Sequence, residues 1–499
     1  MDWTAHLAQG LAAAGTWQNL LYILAGCLLG TLAGVLPRVG PLAAIALLLP
    51  AAHALPAAAA LIMLAGVYCG AHYGSLLAAV SLPDGPAPAH LLDASQMARR
   101  DRAGPALAAA GIGALIAGGL GIAALAALAG PLSNAVAAAF GPAEYFALMV
   151  LGLAGAVALA RGSLIKAIGM AVLGLLLGLG SASASAPRLA PGLPGLTGSV
   201  GFSAIAIGLL CIGPIIASLA QPPQPRQAPA SQPKHLYPTI DDCKLMLPAI
   251  ARGTLLGGLL GLLPGSGALL APLAASAREQ QASLKPGEPP PGKGNVRGVA
   301  GPQAASSAAM RTAFIPLLAL GLPLGAVMAL LAGVLVMHGI QPGPQLIADH
   351  TGLFWCLIAS MLIGSLMLAA LHLPLAVVWA KLLPTPYRLL FPALVLACAS
   401  GMSCIDGNAW NAWLAGGCGI AGYIFIKLDM EPAPLLLGLV LGPAMQENLR
   451  AAVLPAQEGW SALPASPLAA TMLALAAALL AIAAIPAVKR WRQGVLGGG

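Results

Sequence analysis

Charged residues are scarce in this sequence. Asp, Glu, Lys and Arg together make up 8% of its 499 residues, whereas hydrophobic residues make up 59%. An ordinary soluble domain contains about 25% charged residues, so this composition excludes a soluble protein. It indicates instead a protein whose helices lie in a lipid bilayer.

The motifs that would indicate an enzyme, an ATP-driven pump or a metal centre are also absent. The sequence contains no HExxH, GxSxG or GxxxxGK[ST] pattern, and its eight cysteines form no CxxC pair. Lys and Arg (23) outnumber Asp and Glu (15), but aromatic residues make up only 4% and the basic residues form no cluster typical of nucleic-acid binding. We therefore predict neither an enzyme, nor a cofactor, nor a nucleic-acid partner.

Glycine (62) and proline (43) are abundant, and they interrupt the apolar segments themselves. Membrane helices tolerate such residues where neighbouring protein satisfies the freed backbone groups. We predict an all-α fold, a polytopic transmembrane helix bundle of about 10–12 spans with broken helices. Two shorter segments, 38–56 and 264–277, are predicted to be re-entrant. The predicted spans are 18–36, 57–82, 105–130, 143–160, 164–186, 200–220, 246–263, 313–337, 352–372, 386–402, 410–427 and 466–487.

Two segments repeat one pattern. LLGTLAGVLPRVGPL (28–42) and LLGGLLGLLPGSGAL (255–269) agree at nine of fifteen positions, including a frame of two glycines, a proline and a third glycine. This predicts two duplicated halves, which we expect to be inverted. The predicted organisation is an N-terminal transmembrane repeat (1–220), a Pro-rich linker (221–245), a second transmembrane repeat (246–462), and a C-terminal span with a basic tail (463–499).

Paired breaks in duplicated halves are typical of secondary transporters, whose binding site lies between the repeats near the bilayer midplane. At a break, the free N–H groups of the following half-helix can hold a carboxylate, and freed carbonyl groups can coordinate a cation. Glycine permits close approach of the backbone, and proline ends the preceding helix. The alternative is that these residues only kink helices for packing.

Several segments, taken in order, resemble the large permease subunit of the tripartite tricarboxylate transporters, the TctA family. The resemblance runs from about residue 18 to about residue 462. It implies a multi-pass permease of the bacterial inner (cytoplasmic) membrane that imports a small organic anion, such as a tricarboxylate or dicarboxylate, with a Na⁺ or H⁺ gradient. The implied partners are a small TctB-like membrane subunit and a periplasmic TctC-like solute-binding protein. The segments are LLGTLAGVLPRVGPLAAIALLLP, AGVYCGAHYGSLLAAVSLPDG, FGPAEYFALMVLGL, LLGGLLGLLPGSGALLA, KGNVRGVAGPQAASSAAMRTAFIPLLALGLPLG, VMHGIQPGP and GYIFIKLDMEPAPLLLGLVLGPAMQENLR.

This chain departs from the family pattern at its motifs. Arg38 and Arg311 each stand where the family has a glycine at a break, and Ser306 and Ser307 stand where it has paired amides. The two arginines are candidates for holding a carboxylate. Alternatively, Arg38 caps an interfacial loop, and Arg311 extends to the membrane surface or pairs with an acid. The altered motifs also fit a degenerate member that does not transport and acts as a receptor or assembly partner.

The predicted substrate-binding residues come from the two breaks and the motifs that follow them. A cation site near Gln303, Ser306 and Ser307 is a further option, and the cation itself stays open. The predicted substrate-binding residues are Pro37, Arg38, Gly40, Pro41, Ser75, Pro83, Pro264, Gly265, Ser266, Gly267, Ser306, Ser307, Arg311 and Pro323.

Overall fold

The computed structural model describes most of the chain, and the described part is helical. No strand occurs within the described ranges, so the predicted all-α fold is confirmed. The described ranges are 3–36, 40–81, 88–160, 162–181, 199–219, 238–264, 267–283, 288–382, 387–406, 409–454 and 466–485.

The described residues of the first half form ten α-helices, together with one 3₁₀ turn and one π-helical stretch. A π-helical stretch, Gly208–Ile212, separates α9 from α10, and a 3₁₀ turn, Ala89–Leu91, precedes α5. The helices are α1 (Trp3–Ala14), α2 (Trp17–Val35), α3 (Gly40–Ala54), α4 (Ala57–Ser81), α5 (Leu92–Arg99), α6 (Ala103–Ala139), α7 (Pro142–Leu159), α8 (Leu164–Ser181), α9 (Ser199–Ile207) and α10 (Gly213–Leu219).

The helices of the second half follow the Pro-rich segment. They are α11 (Ile240–Leu260), α12 (Gly267–Gln280), α13 (Arg297–Thr312), α14 (Phe314–Leu320), α15 (Ala326–Met337), α16 (Pro344–Asp349), α17 (Thr351–Leu382), α18 (Tyr387–Asp406), α19 (Ala409–Lys427), α20 (Ala433–Val453) and α21 (Pro467–Ala484).

Eight segments in the described part of the chain are long and apolar enough to cross a membrane. The segments predicted at 164–186, 386–402 and 410–427 are helical over their described residues but are not among the eight. The eight are Trp17–Val35, Ala57–Ser81, Ala103–Ala139, Pro142–Leu159, Gly201–Leu219, Ile240–Leu260, Thr351–Leu371 and Pro467–Ala484.

The predicted duplication is visible in how three helices of each half pack. In both halves a long helix ends at the Gly/Pro break, a shorter helix returns, and a third helix packs against the first. Glycines at every fourth position of the first helix leave no room for a Cβ against the backbone of the third, which allows close approach. The facing pairs are Gly26–Met63, Gly30–Val67 and Gly34–Ala71 in α2 and α4, and Gly253–Gly301, Gly257–Ala305 and Gly261–Ala309 in α11 and α13.

These two three-helix units run in opposite directions. Val35 at the end of α2 and Leu77 near the end of α4 share a buried apolar cluster with Val299 at the start of α13. At the same end of the bundle, Arg102 donates a hydrogen bond to Asp242 in the first turn of α11, with 2.7 Å between Nη2 and Oδ2. The first unit therefore ends where the second begins, as expected for inverted repeats.

The predicted span 313–337 is wrong as a single helix. It consists of α14 and α15, joined by an extended segment. Gly321 ends α14 with a φ of +73°, a left-handed conformation that favours glycine, and Pro323 lacks the N–H that a continuing helix would need.

The structure also differs from the prediction by forming helices in polar stretches that were predicted to be loops. Helix α5 lies inside the polar stretch 83–104, and α11 begins at Ile240, inside the predicted linker, because Thr239 and Asp242 form a capping box. Helices α13 and α20 were not predicted, since small and polar residues lower their hydropathy.

A buried ion network joins α11, α12 and α13. Glu279 accepts two hydrogen bonds from Arg252, both at 2.8 Å, and a third from Arg297 Nε at 3.2 Å. Arg297 also pairs with Glu288 at 3.2 Å. Because these charges are paired and hydrogen-bonded, burial costs them less than it would cost an isolated ion.

Candidate functional site

The residues just before the first break and Gly261 at the second break both lie near helix α13. Gly34, just before the first break, packs on Ala71, and the next residue, His72, has its Nδ1 2.9 Å from Ser306 Oγ on α13. Gly261, at the second break, packs on Ala309, one helical turn beyond Ser306. One turn corresponds to about 5 Å along the axis, so both breaks flank the same part of α13.

Helix α13 is unusual because all 16 of its residues are buried although it carries two arginines and several polar side chains. Arg311, in its last turn, is 1% exposed. Its Nη1 donates to the Ser307 carbonyl at 2.9 Å, and its Nη2 donates to Ser365 Oγ of α17 at 2.8 Å. The position near the negative end of the α13 dipole favours the charge.

Two glycines of α6 receive the Arg311 side chain. A Cβ at Gly118 would lie 2.9 Å from Cζ and from Nε, and a Cβ at Gly121 would lie 3.1 Å from the Arg311 Cβ. Arg311 therefore lies between α6 and α17. Its side chain is buried among these helices and does not reach the surface of the protein.

Two buried donors on α13 lack hydrogen-bond partners among the described residues. They are Nε of Arg311 and Nε2 of Gln303, a side chain that is 5% exposed. Arg311 also makes no ion pair with any acidic side chain in the described ranges. An unpaired charge in an apolar interior is costly, so this arrangement is one that an anion would stabilise.

Some predicted site residues lie outside the described residues. They are Pro37, Arg38, Pro83, Gly265 and Ser266.

The other predicted break residues lie at a helix start or just before one. Gly40 begins α3 with a φ of +63° and is followed by half-buried Pro41. Gly267 begins α12 and has no room for a Cβ beside the Leu260 carbonyl. Pro264 contacts Gly155 of α7.

Two further predicted residues take structural positions. The Ser75 hydroxyl is 3.0 Å from the carbonyl of Ala71 and 3.1 Å from that of His72, so its proton goes to its own helix. Pro323 is buried in the extended segment between α14 and α15. Of the predicted residues, the structure brings together Ser306, Ser307 and Arg311 on α13.

No sequence signal indicated which side chains surround Arg311. Gly118 and Gly121 lie in a helix where small residues are frequent, and Ser365 is a single hydroxyl in an apolar helix. Only the fold shows that these three positions converge on one guanidinium. The contact of His72 with Ser306 adds a further residue to the site that was not among the predicted site residues.

Among the described residues, no group of three His, Cys, Asp or Glu side chains could hold a metal ion. The predicted cation site near Gln303, Ser306 and Ser307 would use amide and hydroxyl oxygens instead, and it stays a prediction.

Comparison with known proteins gives matches along nearly the whole chain. Residues 20–437 match the model of the tripartite tricarboxylate transporter TctA family. An uncharacterized 52.8 kDa protein from the TAR-I ttuC' 3' region of Agrobacterium vitis is 42% identical over 500 residues, which cover 99% of each chain. A second protein of that organism, from its TAR-II ttuC' 3' region, is 44% identical over 239 residues, 48% of this chain and 98% of its own. No solved structure matches.

The family match extends over most of the described helices, including both three-helix units and the helices around Arg311. Together with the apolar helices, it makes this a multi-pass membrane protein of a transporter family. The chain belongs to the TctA family of tripartite tricarboxylate transporters.

Proposed function

We propose that this chain is the permease subunit of a binding-protein-dependent secondary transporter that imports a small organic anion with a Na⁺ or H⁺ gradient. The anion class is that of tricarboxylates and dicarboxylates. The observation that carries the proposal is Arg311, a buried guanidinium without an acidic partner in the described ranges, in the last turn of α13.

The guanidinium has donors left for a ligand. Arginine carries five N–H groups, and two of them are used by Ser307 and Ser365. A carboxylate bound to the remaining N–H groups would neutralise the charge through charge-assisted hydrogen bonds. We propose the same role for Arg38, at the first break, which lies outside the described residues.

The proposed partners are a small TctB-like membrane subunit and a periplasmic TctC-like solute-binding protein, and the proposed location is the bacterial inner membrane. Membership of a tripartite family supports these assignments. We propose that the permease has a substrate site of its own, which includes Arg311.

Uptake by membrane vesicles tests the proposal. Vesicles that hold the permease and the small subunit are given radiolabelled citrate or succinate together with the cognate solute-binding protein. We expect uptake only when a Na⁺ or proton gradient is imposed, and loss of uptake when ionophores collapse it. Uptake that persists without gradients and follows added ATP would contradict secondary transport. Binding-protein docking without any uptake would instead support a degenerate, non-transporting member.

A further inference from the structure

We propose that Gly118 of α6 and Ser365 of α17 are positioning residues of the anion site, which fix the Arg311 guanidinium so that its Nε–H edge faces the ligand. This inference rests on the proposed function. Neither residue belongs to a break or to a motif that follows one, and each acts through Arg311.

Gly118 covers one face of the guanidinium. A Cβ built on Gly118 would lie 2.9 Å from Cζ, 2.9 Å from Nε and 3.1 Å from Nη2. Nearly equal distances to three atoms of a planar group place Gly118 above the plane, because an approach along the edge would bring the nitrogens much closer than Cζ. Helix α6 therefore closes this face of the guanidinium.

Ser365 fixes the rotation of the group within its plane. Its oxygen accepts from Arg311 Nη2 at 2.8 Å, while its hydroxyl donates to the Met361 carbonyl at 2.7 Å. The hydroxyl proton is therefore committed, and the oxygen presents only lone pairs to the arginine. The Ser307 carbonyl holds the other terminal nitrogen at 2.9 Å.

With one face covered and both terminal nitrogens held, Nε–H is the donor without a partner in the described ranges. A carboxylate that binds side-on uses this N–H together with a remaining Nη N–H. Displacement of the guanidinium by a Cβ at Gly118, or loss of the Ser365 oxygen, would turn this edge away from the ligand. Either change should weaken anion binding without removing the charge.

The neighbouring glycine provides a matched control. A Cβ at Gly119 meets no atom of the described residues within 4 Å, so Gly119→Ala makes the same chemical change on the same helix without touching Arg311. The test uses the purified full chain in detergent, with citrate and succinate as probes. Dissociation constants come from thermal shift or calorimetry, and unfolding temperatures are recorded for every variant.

We expect Gly118→Ala and Ser365→Ala to weaken probe binding about 10-fold or more, the scale of one lost charge-assisted hydrogen bond. Gly119→Ala should bind as the wild type does, and Ser365→Thr, which keeps the hydroxyl, should restore most of the affinity. In an Arg311→Gly background, Gly118→Ala should have no further effect on binding, and its effect on the unfolding temperature should shrink because the clash is gone.

Two results separate failure of this inference from failure of the proposed function. Wild-type affinity in both Gly118→Ala and Ser365→Ala, with weak binding in Arg311→Gly, would overturn the positioning roles and leave the anion site intact. Full affinity in Arg311→Gly, or no binding of either probe to the wild type, would overturn the proposed function. In that case the unfolding temperatures still test the contact of Gly118 with Arg311. If Gly118→Ala changes the unfolding temperature by the same amount with and without Arg311, that contact would be overturned as well.

Discussion

At the residue scale, Asp93 and Arg311 are two buried charges with different partners. The Asp93 carboxylate accepts hydrogen bonds from the backbone N–H groups of Gly294 and Asn295, at 2.9 and 2.8 Å, just before α13 begins. It lies in the first half of the chain and stabilises the helix start of the second half. Arg311, at the other end of α13, has an Nε–H without a hydrogen-bond partner among the described residues.

This difference predicts different outcomes of mutation. Asp93→Ala leaves two buried N–H groups unsatisfied and should destabilise the protein by about 1–3 kcal/mol, whereas Asp93→Asn, which keeps an acceptor oxygen, should cost less. Chemical or thermal unfolding of the purified chain measures both. Equal stability of wild type and Asp93→Ala would show that this cap contributes nothing.

At the element scale, the first and third helices of each three-helix unit are held together by close backbone contact. A Cβ at Gly257 would overlap the Ala305 carbonyl of α13, whereas a Cβ at the adjacent Gly258 meets, among the described residues, only the Thr312 methyl at 4.0 Å. We expect Gly257→Ala to separate α11 from α13 and to destabilise the protein by about 1–3 kcal/mol.

Gly258→Ala is the matched control for this prediction. It should be neutral or slightly stabilising, because alanine favours a helix over glycine. Thermal unfolding of the two variants gives the comparison. A smaller loss for Gly257→Ala than for Gly258→Ala would contradict the close contact of α11 with α13.

The elements that the sequence predicted are those with a strong local signal. The repeated Gly/Pro frame predicted interruptions, and α2 and α11 do end at those frames. Helix α13 was not predicted because Gly, Ala, Ser, Gln and Arg give it no hydrophobic signal; its burial comes from its neighbours. The same holds for the site: Arg311 was found as a departure from the family pattern, but Gly118 and Ser365 meet it only through tertiary packing.

At the scale of the whole molecule, the opposite directions of the two units predict which loops share a side of the membrane. Helix α6 begins beside the start of α11, and near its other end Ser133 donates to the Pro344 carbonyl at 2.8 Å. Residues 103–133 of a helix extend about 45 Å, more than a bilayer's hydrocarbon core. The α5–α6 turn and the α11 start should therefore lie on one side, and the segment around α16 on the other.

Site-directed labelling tests this arrangement. In a chain whose native cysteines are replaced, the exposed positions Arg100, Asp241 and Asp349 are changed to Cys one at a time. A membrane-impermeant maleimide should label Arg100→Cys and Asp241→Cys from the same side of sealed vesicles and Asp349→Cys from the opposite side. Labelling of all three from one side would contradict the inverted arrangement.

The central claim is that the buried guanidinium of Arg311 binds the anion, and the affinity of the purified chain for citrate and succinate tests it most directly. We expect Arg311→Gly to weaken binding about 10- to 100-fold, since a charge-assisted hydrogen bond contributes about 1.5–3 kcal/mol. Arg311→Lys should recover only part of this, because a point charge lacks the planar fork, and the exposed Arg100→Gly should bind as the wild type does. Unchanged affinity in a folded Arg311→Gly variant would contradict the claim.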